Sequence, residues 1–201
     1  MHFALPAQEL VALIVAISFA AGLNVYATVA TLGILSRTNL LVLPDALHPI
    51  GSWWVIGAAV ALFGVEFFAD KIPAFDLVWN ALHTFIRIPV AALIAWRATA
   101  TLSPREQLLA TLLGGLIAFA AHGGKTAARA IVTPSPEPLS NIGLSLGEDV
   151  VAISLTWLAT RHPYVAGGIG LALALIIFFL IRWVWRALRK LFRGAEQVVH
   201  A

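Results

Sequence analysis

The stretch Val65–Asp76, VEFFADKIPAFD, constrains this chain more than any other. It closes a run, Trp53–Phe68, that is apolar enough to lie inside a bilayer, yet it holds Glu66, Asp70, Lys71 and Asp76. Even mild insertion scales set a charged side chain at the centre of a spanning helix at about 2.5–3.5 kcal/mol. Such groups are retained where they face a protein interior or a wet cavity and pair with one another. The segment therefore marks a helix side turned away from lipid. Pro73 lacks an N–H and biases Ile72 toward extended backbone, so the helix is expected to break there.

Composition agrees. Of 201 residues, 60% are hydrophobic and only 11% charged, with a mean hydropathy of +0.90; a soluble domain carries about 25% charged residues. The expectation is an all-α, polytopic transmembrane bundle in one membrane domain over 1–201. With no cysteine, neither a disulfide framework nor a thiolate metal site can form. The net charge of +3 calls for no nucleic acid. Five of the 13 Lys and Arg, namely Arg182, Arg186, Arg189, Lys190 and Arg193, gather at the end of the last apolar run. There they read as a cytoplasmic anchor on anionic lipid, with 187–201 as a basic tail. Leu10–Phe19 resembles a signal core but lacks a basic lead, and its apolar stretch runs on to Leu35, so it reads as a retained first span.

At about 20 apolar residues per crossing, six spans are expected: Leu10–Leu35, Trp53–Ala69, Ala74–Trp96, Glu106–Val132, Ile142–Thr160 and Tyr164–Trp185. Ser103-Pro104 signals the start of the fourth, and Ser140-Asn141 is a cap for the fifth after the proline-rich Thr133–Asn141. An even count with a basic tail puts both termini in the cytoplasm of a bacterial inner membrane. Phe19-Ala-Ala-Gly matches Phe119-Ala-Ala-His-Gly, and Ala69–Pro73 matches Ala159–Pro163. These matches suggest a 3+3 inverted repeat, 8–100 and 104–186, with broken helices, an architecture common in secondary transporters. Gly167, Gly168 and Gly170 could form a packing face, internal or in a homo-oligomer.

Two polar stripes follow helical spacing. Asp76, Asn80, His83 and Arg87 lie on one face of the third span, and His122, Lys125, Thr126 and Arg129 on one face of the fourth. Gly123 and Gly124 would let a neighbour approach. The acids Glu66, Asp70, Asp76, Glu148 and Asp149 nearly balance Lys71, Arg87, Lys125 and Arg129, so mutual neutralisation competes with a cationic site for an anion. Gly123-Gly-Lys-Thr126 is not a phosphate loop, because position 119 is Phe and no α/β domain surrounds it. His83, His122, Glu66 and Asp76 lack metal-ligand spacing, and no nucleophile–base pair stands out, so neither a metal, a cofactor nor an enzyme is expected.

Taken in order, GLNVYATV at Gly22–Val29, ExxxDKIPxxD at Glu66–Asp76, HGGKTAAR at His122–Arg129 and SPEPLSN followed by Glu148-Asp149 resemble a family of small bacterial membrane proteins. That family is catalogued as a domain of unknown function. The resemblance covers roughly residues 10–165 and implies an integral membrane protein without assigned catalytic or binding residues. The residues themselves point to a site built from Asn24, Glu66, Asp70, Lys71, Asp76, Arg87, His122, Lys125, Arg129 and Asp149. The leading expectation is a small permease for an anionic solute or lipid head group, proton-coupled through Glu66 or Asp70. The competing one is a non-transporting assembly or lipid-interacting factor whose charges only hold helices together. A membrane enzyme acting on lipid ranks third.

Overall fold

A computed structural model describes residues 6–132 and 138–199. Side chains are described for all of these except 7, 73–77, 130–132, 138–139, 141, 187–188 and 190–199. Asp76, Lys190, Arg193 and most of the proline-rich loop, all used above, lie outside that description. Every regular element among the described residues is helical, as the all-α expectation requires.

The first apolar stretch is nevertheless not one helix. α1 spans Ala7–Leu23 and α2 spans Val25–Arg37, with Asn24 in extended backbone between them. Asn24 caps α2: its side-chain oxygen accepts the Ala27 N–H at 2.9 Å, satisfying one of the amides that a helix start leaves unpaired. The chain then returns along α1, for Leu32 and Leu41–Leu43 share one small cavity with Leu10, Leu13, Ile14 and Ile17. At about 1.5 Å per residue the two helices are roughly 25 and 20 Å long, short of a hydrocarbon core of about 30 Å. The first expected span is a helical hairpin with Asn24 at its tip.

A 3₁₀ helix, Asp45–Gly51, bends by 60° into α3, Trp53–Ala69. Then come α4 (Pro73–Ala98), α5 (Pro104–Val132), α6 (Pro138–Arg161) and α7 (Pro163–Val199). Each of the last four begins on proline, whose missing N–H goes unused at a first helical position and whose φ is already helical. The expected start at Ser103-Pro104 carries a capping box: the Ser103 N–H donates to Glu106 Oε2 at 3.1 Å and the Glu106 N–H to Ser103 Oγ at 3.4 Å. α6 starts at Pro138, ahead of Ser140-Asn141, so those residues lie inside its first turn and not at the cap position expected of them. Pro89 sits within α4 without ending it.

Stretches of α4, α5, α6 and α7 are long and apolar enough to cross a membrane, and α3 with its bent 3₁₀ lead raises the number to five at most. The expected six are corrected because the first stretch folds back. Small residues set the register. Gly22 lies on Ala118 and Ala121, and Gly114 lies near Ser18, so α1 and α5 run in the same direction. Gly167 lies on Ala12, and Gly170 near Ala16 and Phe19, so α7 also runs parallel to α1.

These directions overturn two further expectations. An inverted repeat would oppose Phe19–Gly22 to Phe119–Gly123, but the two segments lie side by side on parallel helices. Both termini on one side presupposed six single crossings. Instead, α1 begins beside the α6–α7 turn, where Glu9 and Leu13 share a cleft with Thr160–Val165. α7 leads from that end to the other, so the described ends of the chain lie at opposite ends of the bundle. Gly167 and Gly170 serve packing inside the protomer.

Aromatic side chains mark two levels. Trp53, Trp54, Trp96, Trp157 and Tyr164 are exposed at the end where α1 begins, and Trp183 and Trp185 at the other. Along α7, Tyr164 and Trp183–Trp185 are about 20 residues, or roughly 30 Å, apart. That is the spacing of aromatic belts at two membrane interfaces.

Candidate functional site

The polar stripes of α4 and α5 turn inward and meet the end of α3, the start of α6 and the hairpin tip. Arg87, fully buried on α4, donates through Nη2 to Glu66 Oε1 on α3, also fully buried. The other Arg87 terminal nitrogen, Nη1, donates to Asn80 Oδ1 at 3.2 Å and to His122 Nδ1 at 3.1 Å. Because a guanidinium can only donate, His122 Nδ1 carries no proton; its Nε2–H is left to donate to Thr84 Oγ1 at 2.7 Å. The Thr84 hydroxyl passes the chain on to the Asn80 carbonyl at 3.2 Å. The His122 ring is therefore the neutral Nε2–H tautomer.

One turn along α5, Lys125 Nζ lies 3.0 Å from Asp70 Oδ2, 3.2 Å from Glu148 Oε2 and 3.4 Å from Glu66 Oε1. Arg129 uses the same acids: its Nη2 stands 2.9 Å from Asp70 Oδ2 and 2.7 Å from Glu148 Oε2, while Nη1 donates to the Asp70 carbonyl at 3.0 Å. Asp70 lies just past the end of α3.

The hairpin tip joins through both helix ends. The Leu23 carbonyl, in the last turn of α1, accepts from Lys125 at 3.3 Å. Asn24, at the start of α2, donates through Nδ2 to Asp149 Oδ1 at 2.9 Å. A cation thus meets the negative end of one helix and an anion the positive end of the next, the favourable sense for both dipoles. Tyr26 completes the rim, its hydroxyl 3.0 Å from His83 Nε2, while His83 Nδ1 donates to the Trp79 carbonyl at 2.7 Å.

Among the described side chains the network holds four carboxylates (Glu66, Asp70, Glu148, Asp149) and three cations (Arg87, Lys125, Arg129). Glu66 Oε2, Asp70 Oδ1, Glu148 Oε1 and Asp149 Oδ2 are buried without a hydrogen-bond partner among the described residues. Among the described residues no cation lies within ion-pair distance of Asp149, and its one partner is the neutral amide of Asn24. In depth, Arg87 lies about midway between Trp79 and Trp96 on α4. Gly124 abuts Ile177, about 13 residues from Tyr164, or roughly 20 Å into the bundle.

Of the ten residues expected here, eight meet: Asn24, Glu66, Asp70, Arg87, His122, Lys125, Arg129 and Asp149. Asp76 lies outside the described side chains. Lys71 stands at the edge of the network: it makes no ion pair among the described contacts, yet its charge acts on Asp149 and Asp70 from a longer range. It is partly exposed, donates to the Phe67 carbonyl at 2.7 Å and lies 3.0 Å from the centre of the Phe67 ring. It sits past the helix end, where a long side chain can fold back over an aromatic face. Thr126 is exposed and donates to the His122 carbonyl. Gly123 faces open space, and Gly124 receives a side chain, not a backbone. The site residues left out of that set were Asn80 and His83, though both lay on the stripe of the third span, and Glu148, Tyr26 and Thr84. Glu148 was named as a buried acid, whereas nothing in spacing singles out one hydroxyl in an apolar helix.

A family model described as a domain of unknown function (DUF4126) matches residues 11–186. No curated protein and no solved structure matches the chain.

Proposed function

We infer a function from the site itself, because the chain belongs to DUF4126, a family defined as a domain of unknown function. We propose that the protein is a small permease of the bacterial inner membrane that moves an anionic solute or lipid head group together with a proton. The carrying observation is the sharing of Lys125 and Arg129 by the same two carboxylates, Asp70 and Glu148, beside the broken helix at Asn24. In this closed arrangement the bases are held by internal acids. Protonation of the acids frees the bases for an incoming anion, and loss of the proton returns them, so anion and proton enter and leave together. The first station for the proton is Asp149, whose one hydrogen bond among the described residues comes from the neutral Asn24 amide, with Lys71 and Lys125 acting on it from beyond ion-pair distance, in place of the Glu66 or Asp70 expected from sequence. Helix ends that face a charged site within the bilayer are the parts from which secondary transporters build such pathways. The orientation proposed places the basic end of α7 in the cytoplasm.

One observation favours a second reading, a static scaffold or assembly factor: each of Arg87, Lys125 and Arg129 already has an acid within ion-pair distance. The readings separate in proteoliposomes loaded with a pH-sensitive dye. Addition of phosphate, sulfate, lactate or succinate should drive anion-dependent proton uptake in the parent, and folded Glu148→Gln and Asp149→Asn proteins should lose it by tenfold or more. Absence of uptake across the panel, with variants altered only in stability, would establish the scaffold.

A further inference from the structure

A second place in the bundle combines charge with open space, at the end opposite the charge network. A cleft of about 490 Å³ opens among the start of α1, the segment after α2 and the α6–α7 turn. Its walls combine apolar Leu13, Leu40–Val42 and Val165 with Glu9, Thr160, Arg161, His162 and Tyr164. Tyr164 belongs to the aromatic level at this end, so the cleft opens where head groups meet acyl chains.

We propose that this cleft binds a phospholipid carrying a phosphoethanolamine head group. The inference is independent of the transport reading. The formal charges among the lining residues cancel, Glu9 against Arg161, and the two are not ion-paired to each other among the described contacts. An anionic head group would face the Glu9 carboxylate uncompensated; a purely cationic one would face Arg161. A zwitterion satisfies both, its phosphate taking the guanidinium fork of Arg161 and the His162 ring, and its ammonium taking Glu9 and the Thr160 hydroxyl. A primary ammonium has three N–H donors for these oxygens, whereas a trimethylated one has none and is recognised by aromatic cages; here the only aromatic ring beside the imidazole is Tyr164. Leu40 and Val42, both exposed at this level, give the acyl chains an apolar wall.

The test uses the full-length protein, delipidated in detergent, with native mass spectrometry against dioleoyl phosphatidylethanolamine, phosphatidylcholine and phosphatidylglycerol, and against soluble phosphoethanolamine. The ethanolamine lipid should bind about tenfold more tightly than the other two, the weight of one lost charge-assisted contact. Arg161→Gln should weaken all phospholipids alike. Glu9→Gln should abolish the preference for ethanolamine, and Glu9→Arg should reverse it toward phosphatidylglycerol. Both positions are outside the buried core, so the variants should fold. Equal binding of the three lipids, or a preference unmoved by Glu9→Arg, would overturn the proposal. Soluble phosphoethanolamine binding as tightly as the lipid would overturn the lipid as its source.

Discussion

Arg87 is the largest fully buried side chain among the described residues, and its charge is tolerable only because Glu66, Asn80 and His122 all receive its protons. A buried ion pair of this kind contributes little net stability compared with apolar groups of the same shape, but removing one partner strands the other. Arg87→Met should therefore destabilise by about 3–5 kcal/mol, and adding Glu66→Gln should recover part of that loss. Thermal unfolding of the two variants in one detergent checks it; a double variant as unstable as the sum of its singles would mean the pair does not act as a unit. Residue-scale features of this sort were legible where polar groups recur three and four apart, as at Asn80, His83 and Arg87 or at His122, Lys125 and Arg129. They were less legible at helix ends. Lys71 belongs to the same charged segment, yet two residues past the end of α3 its direction is no longer set by the helical period. Glu148 and Asp149, neighbours about 100° apart on a helix, both reach the interior, so choosing one of them was arbitrary.

At the scale of elements, the hairpin escaped sequence reading for a physical reason. Leu10–Leu35 carries no charge and is long enough to cross, and a single Asn in such a run signals a polar contact as readily as a reversal. What decides is tertiary. Asn24 gains the Ala27 amide and the Asp149 carboxylate, and Gly22 lets α1 touch the backbone of α5. A Cβ at Gly22 would stand 2.5 Å from the Ala118 carbonyl oxygen, whereas one at Gly123 would meet nothing within 4 Å. Gly22→Ala should accordingly cost about 1–3 kcal/mol by overpacking. Gly123→Ala should be neutral or stabilising by about 0.5–1 kcal/mol, since alanine loses less entropy in a helix. The pair is read by comparing melting temperatures; equal effects would show that the α1–α5 contact is looser than its register implies.

At the scale of the whole molecule, the hairpin changes which ends of the chain share a side. Six single crossings would put Gln8 and Arg189 together and the α4–α5 turn, with Thr101, opposite them. With α1 and α2 folding back, α3 to α7 make the passes that remain, so Gln8 and Thr101 fall on one side and Arg189 on the other. The two layouts reverse the position of both markers relative to the N-terminus, and the distinction does not depend on which side is the cytoplasm. The chain has no cysteine, so single thiols at these three exposed positions report without background. A membrane-impermeant maleimide applied to intact cells and to inverted vesicles should label Gln8→Cys and Thr101→Cys under the same condition and Arg189→Cys under the other. Joint labelling of Gln8→Cys and Arg189→Cys would restore an even number of crossings and remove the hairpin. It would also undo the placing of the cleft and the basic end of α7 at opposite faces, on which the orientation of both proposed sites depends.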